Sequence, residues 1–246
     1  MLPSSIMASP GPSEKALAAV NQRIAAALAA AGRKSGEVTL LAVSKTFSSD
    51  AVRAAFRAGQ REFGENYVQE AAAKRAALGD LPGLRWVLIG PLQSNKTALA
   101  ASIFDRIESI DRLKIAQRLA EARPPGHDPL EVLVQVNISG EASKSGVAPA
   151  QALALAREVA RLPRLRLLGF MGIAEPTEDT RRQRAQFREL ARIAEATRAE
   201  GLACPVLSMG MSADLEAAIA EGSTEVRVGS ALFGARPAGV VEQPTP

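Results

Sequence analysis

The sequence predicts a single (β/α)8 barrel of the TIM type with one extra helix at its N-terminal end. Three observations carry that expectation. Eight apolar strand-like runs alternate with amphipathic segments along most of the chain. A length of 246 residues suits one barrel, a fold that reaches this size undivided. The rival architecture, an open doubly wound sheet, lacks its GxGxxG turn after the first strand, and no second domain stands out.

The alanine-rich stretch 15–31 comes first. Leu17, Val20, Ile24, Ala27, Leu28 and Ala31 fall at helical spacing, and Asn21-Gln22-Arg23 breaks the apolar run, so it reads as an amphipathic helix and not as a signal peptide. Strands are expected at 38–43, 61–64, 85–90, 106–110, 131–137, 166–171, 205–208 and 225–229. Helices are expected at 49–58, 65–78, 94–101, 111–122, 149–162, 178–200 and 212–221. Asp111 and Ser212 stand where helix caps belong, and Pro149 suits a first helical position. Gly59, Gly79, Gly201 and Gly222 each follow a helical run, where a left-handed terminal residue is expected. The barrel domain is set at 13–236, with 1–12 and 237–246 read as disordered tails.

Composition narrows the function classes. Hydrophobic residues are 47% and charged residues 23%, the profile of a soluble globular protein. Cys204 has no partner within the chain, which argues for a reducing, cytoplasmic setting. The net charge of +4 is scattered and aromatics are only 4%, which argues against nucleic-acid binding. No run approaches the roughly 20 apolar residues of a membrane span. His127 is the sole histidine, so no metal site is expected. The protein is expected to be a monomer.

In a barrel, residues just after each strand converge on one face. Lys45 closes the run Val38-Thr39-Leu40-Leu41-Ala42-Val43-Ser44 and would present its amine there. Partial desolvation favours the neutral amine, which attacks carbonyls to form a Schiff base; the plain alternative is a lysine snorkelling from a strand end. Ser208-Met209-Gly210-Met211-Ser212-Ala213-Asp214 and Gly229-Ser230-Ala231 follow the seventh and eighth strands, the usual phosphate position in barrels. Their backbone N–H groups, the helix terminus and the Ser212 hydroxyl suit a phosphate, although Ser212 alone also fits an ordinary cap. Arg227 faces opposite to Val226 and Val228. It could pair with Glu108 or Glu225 inside the barrel, or hydrogen-bond a ring nitrogen of an aromatic ligand. A Schiff-base lysine, a phosphate cradle and a partner for a pyridine nitrogen are together what pyridoxal 5'-phosphate requires.

Longer motifs accompany these residues. They are Ala42-Val43-Ser44-Lys45-Thr46, Phe63-Gly64-Glu65-Asn66-Tyr67-Val68-Gln69-Glu70 and Ile89-Gly90-Pro91-Leu92-Gln93-Ser94-Asn95-Lys96. Ser143-Lys144-Ser145-Gly146, Leu207-Ser208-Met209-Gly210-Met211-Ser212 and Val226-Arg227-Val228-Gly229-Ser230-Ala231-Leu232-Phe233-Gly234 follow in order. In these the chain resembles the pyridoxal phosphate homeostasis protein family, the YggS-like relatives of the alanine racemase barrel. The resemblance implies that Lys45 carries the cofactor as an internal aldimine and that Ser212, Gly229 and Ser230 hold its phosphate. It further implies that Arg227 faces the pyridine nitrogen and that Asn66 lies close by. Val87 stands where a histidine is common in bacterial members, and Phe47 where a basic residue is frequent. Phe47 therefore argues against a second, lysine-based cofactor site at the mouth.

The alternative to a carrier is a pyridoxal-phosphate-dependent racemase or lyase of the alanine racemase fold. A racemase needs a base on each face of the α-carbon, and in the racemase relatives an extra β-domain supplies a tyrosine. Here the chain ends soon after the eighth strand, and its one tyrosine, Tyr67, reads as a packing residue. A guanidinium at the ring nitrogen also weakens the cofactor as an electron sink. A cofactor-free Schiff-base aldolase would leave Arg227 idle. The expectation is a vitamin B6 homeostasis protein with no catalytic residues that hands cofactor to apo-enzymes. Lys144, in a loop of small residues, is a candidate cation for gating release, or else a solvated surface lysine.

Overall fold

The computed structural model describes residues 11–141 and 144–234. The tails assigned to 1–12 and 237–246 lie outside these residues except for Gly11 and Pro12, which already cap and begin the first helix. That helix, α1, runs Pro12–Ala30. Proline at its start suits a position whose N–H has no helical acceptor, and the Glu14 carboxylate accepts the Gly11 N–H at 2.8 Å.

The remaining elements alternate as the sequence predicts. They are β1 (Thr39–Val43), α2 (Ser49–Arg57), β2 (Glu62–Glu65), α3 (Val68–Ala77), β3 (Arg85–Leu88), α4 (Thr97–Ile103) and β4 (Arg106–Ile110). There follow α5 (Leu113–Ala122), β5 (Leu130–Val136), α6 (Pro149–Ala160), β6 (Leu165–Gly172), α7 (Thr180–Ala199), β7 (Val206–Met211), α8 (Leu215–Ala220), β8 (Glu225–Val228) and a short α9 (Ser230–Phe233). The strands close in sequential order into one barrel, and every neighbouring pair is parallel. β1 and β8 seal it with Leu41 opposite Arg227 and Ala42 opposite Val228.

Some local expectations are overturned. Asp111 caps nothing: Arg112 holds the cap position of α5, and its guanidinium donates to the Asp111 carboxylate at 2.7 Å. Ser212 is no cap either, because β7 runs on to Met211 and α8 begins only at Leu215, behind Asp214. Gly59, Gly201 and Gly222 take positive φ angles of 111°, 80° and 96°, but Gly79 does not.

Alternation along the strands sorts the core into two layers. Outward residues such as Phe63 and Trp86, with ring centroids 6.2 Å apart, pack beneath the helices. Val226 and Val228 of β8 join Val20, Ile24 and Leu28 of α1 and Leu215 and Ile219 of α8 in a second cluster, so the extra helix covers the seam side of the barrel. The inward layer is unusual for a barrel, since it carries charge. Arg106 donates to Glu108 at 2.9 Å and to Glu62 at 3.0 Å, and also pairs with Glu225. Burial, followed by the neighbouring Glu108 charge, holds the Glu225 carboxyl well above its ordinary range. Burial opposes ionisation of Glu108 as well, but Arg106 and Arg227 outweigh it and its carboxyl is lowered.

Two stability predictions follow from this cluster. Arg106→Ala leaves buried carboxylates uncompensated and should cost about 3–5 kcal/mol in urea unfolding. For Glu225 the folded state holds the proton more tightly than the unfolded one. Its contribution is fully present below pH 4.5 and is lost as pH rises through the raised folded value. Glu225→Gln should therefore remove that downward slope from a stability-against-pH curve while changing stability little at low pH.

Candidate functional site

The ends of β1, β2, β3, β6, β7 and β8 surround a cavity of about 360 Å³ at the carboxyl face of the barrel. Lys45, Asn66, Ser212, Arg227, Gly229 and Ser230, the six residues singled out in the sequence, all line it. Residues from the first fifth of the chain thereby meet residues from its last seventh, brought together by the β1–β8 seam.

Each is placed by a local cause. Val43 and Lys45 share the inward face of β1 by period-two alternation, and both border the cavity. Asn66 sits one residue beyond β2. The end of β3 passes so close that a Cβ on Gly90 would lie 2.3 Å from the Asn66 carbonyl oxygen, so only glycine permits this approach. Ser212 lies in a turn closed from both sides. The Asp214 carboxylate accepts the Met211 N–H at 2.5 Å, and Asp214 N–H donates to the Met211 carbonyl at 3.1 Å. From outside, the Arg23 guanidinium of α1 donates to the Ser212 carbonyl at 2.7 Å while pairing with Glu216 at 2.5 Å. Released from capping, the Ser212 side chain borders the cavity.

Arg227 is 4% exposed and makes no salt bridge to Glu108 or Glu225 among the described residues. Its Nη1 donates to the Ser208 carbonyl at 2.6 Å and the Ser208 hydroxyl at 2.8 Å, and its Nη2 to the Gly172 carbonyl at 2.9 Å. The Ser208 hydroxyl in turn donates to Glu108 at 2.6 Å, so the charged layer supports Arg227 through a serine. Burial lowers the guanidinium's hold on its proton, opposed by Glu108, Glu225 and Asp214. An arginine has five N–H donors, so donors remain for a ligand.

Apolar walls complete the site. Val43, Phe47, Ile89, Ile173 and Met211 line it, and Phe47 stacks on Phe233 with centroids 5.0 Å apart. Sequence reasoning, which looked for polar groups after strands, gave Ile89, Ile173 and Met211 no role. It also missed Arg23 and Asp214, whose contacts arise only in the fold. The described lining holds cationic and neutral donors and no carboxylate. Such a donor set with flat apolar walls suits an anionic aromatic ligand, and the lysine amine adds a nucleophile for an aldehyde.

Other candidates lie elsewhere. Lys144 borders an adjoining recess of about 210 Å³ that shares Asn66, Ile89 and Ile173 with the main cavity. Its amine lies 2.9 Å from Glu141 and 3.3 Å from the Ala174 carbonyl; Ser143 of its motif lies outside the described residues. Tyr67 is at the cap position of α3 and is not in the cavity lining. Cys204 is buried, and burial pushes its thiol up to about 11, which suits packing. No cluster of metal-ligating side chains occurs among the described residues.

Comparison with known proteins identifies the family. The family described as alanine racemase, N-terminal domain, matches residues 16–237. The pyridoxal phosphate homeostasis protein of Pseudomonas aeruginosa is 57% identical over 220 residues, covering 89% of this chain and 94% of that one. Its counterpart in Escherichia coli is 50% identical over 222 residues, covering 89% and 95%. PipY of Synechococcus elongatus, solved with pyridoxal phosphate bound, superposes with a TM-score of 0.79 at 36% identity, covering 90% of this chain and 100% of that one. On this evidence the chain belongs to the pyridoxal phosphate homeostasis protein family, built on the barrel of the alanine racemase N-terminal domain.

Proposed function

We propose that this protein binds pyridoxal 5'-phosphate in the barrel-mouth cavity, anchors it covalently through Lys45, and serves vitamin B6 homeostasis by holding the cofactor and handing it to apo-enzymes. The observation that carries this reading is the convergence of an amine, a guanidinium, two serine hydroxyls and an asparagine amide on one cavity whose described lining has no carboxylate. The relatives named for this role and the cofactor-bound PipY support it. Pyridoxal phosphate supplies an aldehyde and an electron-poor ring. Lys45 would be the covalent anchor: its neutral amine would condense with the aldehyde carbon, its two hydrogens leaving with the aldehyde oxygen as water. Ser212, Ser230 and the turn at Gly229 would receive the phosphate. Asn66 would lie beside the ring, and Arg227 would donate to the ring nitrogen with the donors left free by Ser208 and Gly172.

That role for Arg227 separates a carrier from a catalyst. A guanidinium donor keeps the ring nitrogen unprotonated, which limits stabilisation of a carbanion. Lys45 and Arg227 are the only ionisable side chains in the described lining, so a second base is lacking there. The reading includes action as a monomer and a cytoplasmic setting, the latter supported by the single unpaired cysteine. No helix among the described residues is long and apolar enough to cross a membrane.

Four measurements test the proposal. Purified protein given pyridoxal phosphate should absorb in the visible, and borohydride followed by peptide mass spectrometry should place a pyridoxyl group on Lys45; a protein unmodified at excess cofactor would sink the covalent reading. Ser212→Ala should weaken binding by about 1–3 kcal/mol, since one hydroxyl is lost and the backbone donors stay. Pyridoxal lacking the phosphate should bind far more weakly than the phosphorylated form, and equal affinity would contradict the assignment of the turns. Incubation with single-enantiomer alanine or serine in heavy water should show no inversion near enzymatic rates of roughly 1–10³ s⁻¹. Chiral product analysis decides that point, and fast inversion would restore the racemase reading.

A further inference from the structure

Lys45 is flanked by two peptide groups that the mouth of the barrel does not explain. Both are held from the opposite side of β1, by α3. Lys74 Nζ donates to the carbonyl of Ser44, the residue before Lys45, at 2.7 Å. The Glu70 carboxylate accepts the N–H of Thr46, the residue after it, at 2.6 Å. Lys74 and Glu70 are themselves paired at 2.7 Å, one helical turn apart. Lys74 also donates to Glu65 at 2.7 Å, and Glu65 accepts the Ser44 hydroxyl at 2.5 Å.

This cluster is expensive in isolation. Lys74 is 5% exposed, and Glu65 and Ser44 are fully buried. A lysine amine removed from water without partners is strongly disfavoured, and apolar packing on α3 would serve the fold as well. Burial, opposed first by Lys74, pushes the Glu65 carboxyl up to about 7, so near neutrality it acts as much as a hydrogen-bond partner as a counter-charge. The turn it supports is strained. Thr46 has a φ of 68°, in the left-handed region that costs a β-branched residue most, and its hydroxyl is buried with no partner among the described residues. Strain of this kind persists only where the surroundings enforce it, and the Glu70 carboxylate on the Thr46 N–H is that enforcement.

We infer that Glu70 and Lys74, braced by Glu65, are positioning residues: they clamp the peptides on both sides of Lys45 and so aim its amine at the cavity. This rests on the reading of Lys45 as the covalent anchor. The clamp acts on the lysine alone. The phosphate turns at Ser212 and Gly229 belong to other strands, and none of the clamp residues lines the cavity.

That separation supplies the test. Attachment is followed by the visible absorbance after mixing with pyridoxal phosphate. Non-covalent binding is measured with 4-deoxypyridoxine 5'-phosphate, which has the ring and phosphate but no aldehyde. Misplacing a reacting atom by about an ångström can cost roughly 10²-fold in rate. Lys74→Met and Glu70→Ala should therefore slow attachment by about 10- to 100-fold while leaving deoxy-analogue affinity within about threefold. Glu70→Gln, which keeps an acceptor for the Thr46 N–H, should recover most of the rate. Glu70 lies at the edge of the cluster with a side chain 25% exposed, so Glu70→Ala keeps the question open to measurement if Lys74→Met fails to fold. Attachment at the wild-type rate in Glu70→Ala, or parallel loss of attachment and analogue affinity, would overturn the clamp and leave the anchor standing. A wild-type protein that borohydride does not label on Lys45 would overturn the anchor and the clamp with it.

Discussion

Parallel pairing of the first strand with the last is the constraint on which the site depends. Leu41 opposite Arg227 and Ala42 opposite Val228 set where the amine of Lys45, four residues past Leu41, stands relative to the turn at Gly229. Since side chains alternate with a period of two, a slip of one residue at this seam would turn Arg227 into the helix layer and Val226 or Val228 into the cavity. The apolar cluster formed by Val226 and Val228 with α1 and α8 opposes such a slip, so the extra N-terminal helix has a part in the register of the site.

The charged inward layer is the second condition. A barrel interior is ordinarily packed with branched aliphatic residues, and here Arg106, Glu108, Glu225 and Arg227 replace part of that packing. The exchange sacrifices stability for orientation. Glu108 holds Ser208, Ser208 and Gly172 hold Arg227, and a guanidinium fixed on one side presents its other donors in a set direction. The clamp behind Lys45 follows the same logic from outside the barrel. Two buried ionic groups thus aim the two charged side chains of the cavity.

The fold was legible because eight apolar runs and their helices repeat a simple period, and six of the eight strands end within one residue of expectation. What stayed hidden was set by tertiary context. Ser212 has the chemistry of a cap, but the continuation of β7 to Met211 moved the cap position to Asp214. Asp111 found a guanidinium next door in place of a helix terminus. The polar members of the site were legible because strand ends must converge in a barrel. Its apolar walls were not, since nothing local distinguishes Ile173 or Met211 from core residues. Lys74 and Glu70 read as ordinary charges on a helix, and only the fold shows them bonded to the peptides of Ser44 and Thr46 beside Lys45.

The seam also orders events in time. Lys45 leaves the ribosome early, while Ser212, Arg227, Gly229 and Ser230 come from the last two strands and their turns. A nascent chain that stops short of β8 has Lys45 but neither Arg227 nor the turn at Gly229 and Ser230 that complete the cavity lining. It also exposes the unpaired edge of β1, which invites association with other chains until β8 arrives. The cavity is thereby completed only when the polypeptide has been made through its eighth strand.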